Sequence, residues 1–254
     1  HLSVSHSAIS LGLGLGGGKS ATSSGAPGGG GAPFSNTKSC HFDGVDDHIA
    51  VTPFDFASSK TLSYWIKLDS ISSAGVYMFG GGTNYYTYMT ADGQTIIIYG
   101  GGIGVFSLGA THAITTGSWI HIAIVGDGST ATLYKNGVSR ATATDRTPSG
   151  VNRFGGDSTG GSRFVNGKMD EVAYFASALS GAQITNIYKG EDSGGSGGTN
   201  GTPGDLSTFS PVHWWRMGDG DTFATLTDHG SGGNDGTMTN MDSGDIVEAV
   251  PPSG

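Results

Sequence analysis

One cysteine, Cys40, occurs in 254 residues, so no internal disulfide can form. Secreted domains of this size often carry disulfides, and the lack of one argues against a eukaryotic extracellular origin. Cys40 itself reads as a small buried hydrophobe beside the first strand. Positive charge is scarce: 12 Lys and Arg face 21 Asp and Glu, for a formal charge of −9. With no basic run or stripe, binding to nucleic acid through phosphate neutralisation is disfavoured. An acidic surface serves solubility or cation binding instead. No apolar run approaches the ~20 residues that a membrane span needs. No signal peptide is visible, and a start at His1 rather than Met reads as trimmed or processed. Hydrophobic residues reach only 35%, a deficit made up by 47 glycines and many Ser and Thr. Much of that glycine is clustered, so the segments between the clusters can still build a core.

Residues 1–39 hold two such clusters, LGLGLGGGKS and SSGAPGGGGAP. This composition buries too little apolar surface to fold alone. A glycine-rich arm of this kind is expected to order against a neighbour, which makes it a candidate assembly anchor. From Cys40 to Tyr188 the pattern alternates as strands do. His48 to Thr52 reads as a first strand. Thr61 to Leu68 reads as a second, with Leu62, Tyr64, Ile66 and Leu68 on one face and Trp65 on the other. Shorter strands follow at 76–79, 85–89 and 95–99, separated by glycine turns. Trp119 to Val125 places Ile120, Ile122 and Ile124 on one face. Asn136 and Gly137 lie between two alternating runs, a signal for a type I′ hairpin. Residues 190–204, GEDSGGSGGTNGTPG, read as a flexible linker. A further block follows at 205–254, with one strand predicted over 212–217.

The stretch GKMDEVAYFASALSGAQITNIY (167–188) reads as a buried strand running into one short helix. Strict alternation puts Lys168, Asp170, Val172 and Tyr174 on one face and Met169, Glu171, Ala173 and Phe175 on the other. Ser180 and Gln183 form an S-x-x-Q capping box. Ile184, Ile187 and Tyr188 supply one apolar stripe.

That strand-then-helix ending resembles the close of laminin G-like, concanavalin A-like jelly-roll domains. HFDGVDDHIAV (41–51) resembles the family's opening strand, TLSYWIKL its second, and SWIHIAIVGDGSTATLYKNG (118–137) its central run and hairpin. The resemblance covers roughly residues 40–190 and implies an all-β jelly-roll sandwich with one short helix. VHWWRMGDGDTFATLTDHGSGGNDGTMTNM resembles a block that normally precedes the opening strand, yet here it comes last. Either it returns to complete the same sandwich, or it begins a truncated second copy. Too little chain follows Met217 for another sandwich of ~100 residues, which favours the first. The glycine-rich start and the trailing WWRMGD block are also similar to structural proteins of marine bacteriophages.

Several residue groups could carry chemistry. Asp43, Asp46 and Asp47 precede the first strand, and Asp170 and Glu171 lie in the closing one. The resemblance implies that these regions are neighbours where a structural Ca²⁺ is often held. Calcium takes six to eight oxygen ligands, and Asp170, then Asp43, are the candidates. The competing reading is that these acids cap turns. The acidic stretches at 219–223 and 228–236 lack EF-hand spacing and read as glycine turns. No H-x-x-x-H or C-x-x-C pairing points to zinc. His121 is expected to face solvent or the second layer. No G-x-S-x-G elbow is present, and adjacent Asp170 and Glu171 are expected to point apart, so a two-carboxylate glycosidase is poorly supported. Tyr77, Tyr85, Tyr86, Tyr88 and Tyr99 fall in the central strands. With Asn84 and Gln94 beside them, Tyr85, Tyr86 and Tyr88 could stack on sugar rings; otherwise they are core or interface residues. Trp65, Trp119 and Trp214 read as core.

The sequence thus points to a non-enzymatic virion surface protein, a capsid decoration or a tail or head fibre. It would be anchored to other virion proteins through residues 1–39 and would form a homo-oligomer, with a lectin-like sandwich available for host glycans. The alternative is a calcium-dependent carbohydrate-binding module of a bacterial secreted or cell-surface protein.

Overall fold

Alternation decides the layers. In β3 (Ser59–Ser70) Leu62, Tyr64, Ile66 and Leu68 turn to one side and are buried in the main core, while Trp65 turns to the other. Ile120, Ile122 and Ile124 of β8 (Ile120–Asp127) enter the same core. Burying each such aliphatic chain contributes about 1.5–3 kcal/mol. The structure, a computed structural model, describes residues 34–81, 85–156 and 163–251. The expected anchor over residues 1–33 therefore lies outside the described residues.

The remaining strands, in chain order, are β1 (Ser39–Asp43), β2 (His48–Phe54), β4 (Val76–Gly81), β5 (Tyr85–Met89), β6 (Thr95–Tyr99), β7 (Ile103–Ser107), β9 (Thr130–Lys135), β10 (Val138–Thr144), β11 (Val151–Phe154), β12 (Asn166–Phe175), β13 (His213–Trp215), β14 (Thr225–Leu226), β15 (Gly236–Thr239) and β16 (Ile246–Val247). They pair into two antiparallel sheets. The first runs β10-β9-β8-β3-β12-β1-β16, with β13 also on β12; the second runs β14-β15-β2-β11-β4-β5-β6-β7. This is the jelly-roll sandwich, and the two sheets enclose one core between their inner faces. Asn136 and Gly137 both take positive φ, 52° and 74°, as a type I′ turn requires. The block after residue 205 supplies β13 and β16 to the first sheet and β14 and β15 to the second.

The helix α2 (Gly181–Tyr188) starts on the full capping box of Ser180 and Gln183 and buries Ile184 and Ile187. A single turn, α1 (Gly109–His112), lies between β7 and β8. Ile184 and Ile187 join Ala123, Phe175, Leu206, Phe209 and Trp214 in a second cluster on the outer face of the first sheet.

Three sequence expectations are corrected. Residues 190–204 are not a free spacer: Gly201 donates to the Tyr188 carbonyl and Glu191 to that of Asn186, and Ser193 donates to the Thr208 hydroxyl. The loop is held where Gly198 and Gly204 pass against the backbone of residues 189–191, closer than any Cβ would allow. His121 does not face solvent but a second layer, against Trp65 and Tyr188: it is fully buried, bonded through Nε2 to the Ser63 hydroxyl at 2.9 Å, and burial lowers its pKa to about 3. Strict alternation in β12 fails because a bulge intervenes between Asp170 and Ala173, with Glu171 at φ 47°. The extra residue puts Met169 on the same inner face as Val172 and Tyr174.

Candidate functional site

The bulge in β12 sits where its edge partner changes. Residues 166–169 pair with β1, and 172–174 pair with β13. Between the two ladders, amides are left for side chains to satisfy. Asp219 accepts from the Thr37 amide at 2.9 Å, the Thr37 hydroxyl at 2.6 Å and the Lys38 amide at 3.3 Å. Asp170 accepts from the Asn36 side chain at 2.8 Å and from the Glu171 amide at 2.9 Å. Glu171 accepts from the Trp214 indole N–H and, at 3.3 Å, from Arg216. The Arg216 guanidinium lies 4.4 Å from the Phe34 ring centre and 5.7 Å from that of Trp214. Residues 34–38 are thus clamped to the sandwich rather than belonging to an arm that ends at residue 39.

Asp170 and Glu171 consequently do not point apart; both join one network. Burial pushes the Asp170 carboxyl well above the usual range, and the neighbouring Glu171 charge pushes it further. Burial raises Glu171 to about 7, against the lowering effect of Arg216 and Trp214. At 0% and 2% exposure neither carboxyl can reach a substrate. Two perturbed acids side by side look like acid–base machinery, but here they hold chain to chain.

The structure also separates the two calcium candidates. The antiparallel register sets Asp43 opposite Asn166, whereas Asp170 lies four residues further along β12, about 13 Å away. Asp43 instead meets Asp46 and Asp47, with one oxygen of each within 4.8 Å of the others. Asp43 Oδ1 accepts the amides of Val45 and Asp46, and Asp47 Oδ2 accepts that of Asp43. Burial raises Asp47 to about 6. Three carboxylates fit part of a calcium shell of six to eight oxygens. They equally fit a turn that satisfies its own amides. In the later block, Asp228 takes the amides of Trp214, Gly230 and Asn234 and pairs with His213 at 2.7 Å. Although burial alone would raise it, these bonds hold Asp228 below its usual value. It closes the glycine turn of 228–234 in the way a structural cap does.

The other face of the molecule is built differently. In β5, Thr87 turns inward, while Tyr86 and Tyr88 turn outward and stay half-buried. Register lines them up across the second sheet. One outward row runs Ile103, Tyr99, Tyr86, Gly80, Arg153; the next runs Val105, Ile97, Tyr88, Tyr77. Tyr86 stacks on Tyr99 at 5.0 Å and meets Tyr77 edge-on at 4.8 Å; Tyr77 and Tyr88 are 5.2 Å apart. Each such pair is worth about 0.5–1.5 kcal/mol beyond its buried area. Tyr88 is fixed by its bond to the Ala74 carbonyl at 2.9 Å, over Gly75, where a Cβ would collide with its ring. Burial, and then its tyrosine neighbours, raises the Tyr86 phenol above its ordinary value. Among the described residues the hydroxyls of Tyr86 and Tyr99 have no hydrogen-bond partner and are not enclosed. Ile103 and Val105 add apolar surface, 49% and 45% exposed.

Of the sugar-contact residues expected from sequence, Tyr86 and Tyr88 share this face. Tyr85 pairs with Gly81 in the register of β5 and β4. Asn84 lies outside the described residues. Tyr99 belongs to the first row and Tyr77 to the second, and Arg163, which no sequence pattern marks, lies beside the second. A cavity of about 410 Å³ does exist elsewhere, lined by Phe34, Asp192, Thr199 and Thr208 among others. Its one aromatic ring, Phe34, is already spent on Trp214 and Arg216.

Comparisons with known proteins accord with this architecture. A family described as the concanavalin A-like lectin/glucanases superfamily matches residues 43–185. Among solved structures, a candidate carbohydrate-binding protein from Bacteroides ovatus is 19% identical with a TM-score of 0.57; the match covers 83% of this chain but only 60% of that one. Domain 4 of an extracellular arabinanase from Geobacillus stearothermophilus, in complex with arabinotriose, is 19% identical over 58% of this chain and 75% of that one, with a TM-score of 0.48. A heptameric pentraxin from Limulus polyphemus is 16% identical over 82% and 98%, also with a TM-score of 0.48. No curated protein matches. The family match takes in more than half of the sequence and the strands from β2 to β12: the chain belongs to the concanavalin A-like lectin/glucanases superfamily.

Proposed function

We propose that this chain is a non-catalytic carbohydrate-binding module whose glycan lies along the outer face of the second sheet. The observation that carries the reading is the contiguous cluster of Tyr77, Tyr86, Tyr88 and Tyr99 across two rows of that face, half-exposed and preorganised by ring-on-ring contacts. Apolar faces of sugar rings lose water against aromatic rings, while free phenol hydroxyls take up sugar hydroxyls. The Bacteroides neighbour, a candidate carbohydrate-binding protein of the same fold, supports the reading. Titration calorimetry against a panel of oligosaccharides tests it. Tyr86→Ala should abolish the heat seen with wild type while leaving a native fold. Unchanged affinity in Tyr86→Ala would overturn the reading.

We place the module in a larger assembly, a phage virion first, with residues 1–33 as its attachment. The glycine-rich composition of that segment supports this placement. Particles assembled with a chain lacking 1–33 should lose the protein; normal incorporation would refute the placement. A secreted or cell-surface module with calcium at Asp43, Asp46 and Asp47 is the second reading, favoured by the meeting of those three carboxylates.

A further inference from the structure

The tyrosine face has one charged end. Arg163 lies against the second tyrosine row, where its carbonyl accepts the Tyr77 amide at 2.8 Å. Its guanidinium carbon is 5.3 Å from the Tyr77 ring centre and 5.2 Å from that of Tyr88. Nη1 donates to the Tyr77 hydroxyl at 2.9 Å. No carboxylate among the described residues pairs with it, although acids outnumber bases in the chain. The guanidinium carbon is therefore held over both tyrosine rings, and the bond to Tyr77 uses one of its five N–H donors. In the neighbouring row Arg153 occupies the corresponding end, separated from Tyr86 by Gly80, which carries no side chain.

We propose that this end of the platform selects an anionic sugar, a carboxylate or sulfate received by the fork of Arg163 while the rest of the glycan lies over Tyr88 and Tyr86. The proposal rests on the binding face described above and adds its ligand class. A planar guanidinium matches both acid groups through paired N–H donors, and charge-assisted bonds of this kind are about twice as strong as neutral ones. Stacking on the tyrosines removes most of the ordering cost, because the arginine is positioned before the ligand arrives. The overall negative charge does not forbid this. At physiological salt its field decays over about 8 Å, whereas the arginine acts in contact. From β7 to β11 the platform spans four strand spacings, about 19 Å, enough for several sugar rings in line.

The test uses the full chain and matched ligand pairs in titration calorimetry: galacturonate oligosaccharides against their methyl esters, and sulfated against desulfated galactan oligosaccharides. Wild type should bind at least one acidic member about tenfold or more tightly than its neutral partner. Whichever pair shows the difference identifies the acid group. Arg163→Gln should erase that preference, with acidic binding falling at least tenfold more than neutral binding, and Arg163→Lys should restore only part of it. Melting curves of both variants should match wild type. Equal affinity for the acidic and neutral members of both pairs would overturn the proposal while leaving the tyrosine face intact. So would an equal loss of acidic and neutral binding in Arg163→Gln. No binding to any member would overturn the binding face and this inference together.

Discussion

The outer faces of the two sheets are made from the same alternating strands and put to opposite uses. On the first sheet, Trp214 is buried under Phe34, bonded to Glu171 and packed with Ile184 and Phe209 of the covering elements. On the second, the tyrosines touch mainly one another, and no helix among the described residues lies over them. The difference is one of coverage. The chain after β12 folds back as α2 and the 190–209 loop over the first sheet, and residues 34–38 close its edge. Aromatic residues on a covered face serve stability. Similar residues on an open face remain available to a ligand, and their mutual contacts hold them ready.

This contrast can be broken by substitution. Trp214→Ala should cost the most stability, about 3–5 kcal/mol, because it opens a cavity and leaves Glu171 without its indole donor. Denaturant melts check this, and any surviving folded fraction should keep full ligand affinity. Tyr86→Ala should do the reverse. It should lose only about 1–2 kcal/mol of stability, from its two ring pairs, while affinity drops at least tenfold, about 1.4 kcal/mol. If both variants behaved alike in both assays, the distinction between the faces would collapse.

The clamped edge predicts a pH effect of definite sign. Glu171 is raised from 4.5 to about 7, so the folded chain keeps a proton that the unfolded chain releases. That contribution is complete below pH 4.5 and is lost as pH rises through 7. Asp47, raised to about 6, acts in the same direction, and His121, lowered to about 3, acts in the opposite one. Comparing Glu171→Gln with wild type cancels the latter two, and removing the Glu171 charge also lowers the raised Asp170 carboxyl, which acts in the same direction as the loss of Glu171. The variant should gain stability relative to wild type as pH rises from 4.5 to 7, and a flat difference would contradict the burial argument. The smallest effect concerns calcium. If Asp43, Asp46 and Asp47 hold it, saturating Ca²⁺ should raise Tm by about 2–4 °C. Asp43→Asn, which keeps the turn acceptor but not the charge, should remove the gain. A wild-type Tm indifferent to calcium would leave these acids as turn caps.

Much of the sandwich was legible because alternation is a local signal: Leu62 to Leu68 and Ile120 to Ile124 declare their buried faces without help. So was α2, whose capping box lies within four residues. What escaped were features set by long-range partners. The bulge at Glu171 follows from β12 exchanging β1 for β13, a switch between segments far apart in sequence, and no local pattern marks it. The 190–204 loop has the composition of a linker, but its glycines are there to let backbones pass closely. Asp170 attracted attention as a ligand for its charge; its burial under Asn36 depends on residues 134 positions away. The tyrosine face was half legible. The i, i+2 spacing of Tyr86 and Tyr88 shows in one strand, but the alignment of Tyr77, Tyr99 and Arg163 with them is a matter of register between strands.

The measurement that tests the central claim most directly is a titration of isotopically labelled protein with the oligosaccharide it binds best, followed by backbone NMR shifts. The account predicts perturbations centred on Tyr77, Tyr86, Tyr88, Ile97, Tyr99 and Arg163, with α2 and the 190–204 loop silent. Shifts concentrated on α2, the loop or the Phe34 edge would place the ligand on the covered face and contradict it.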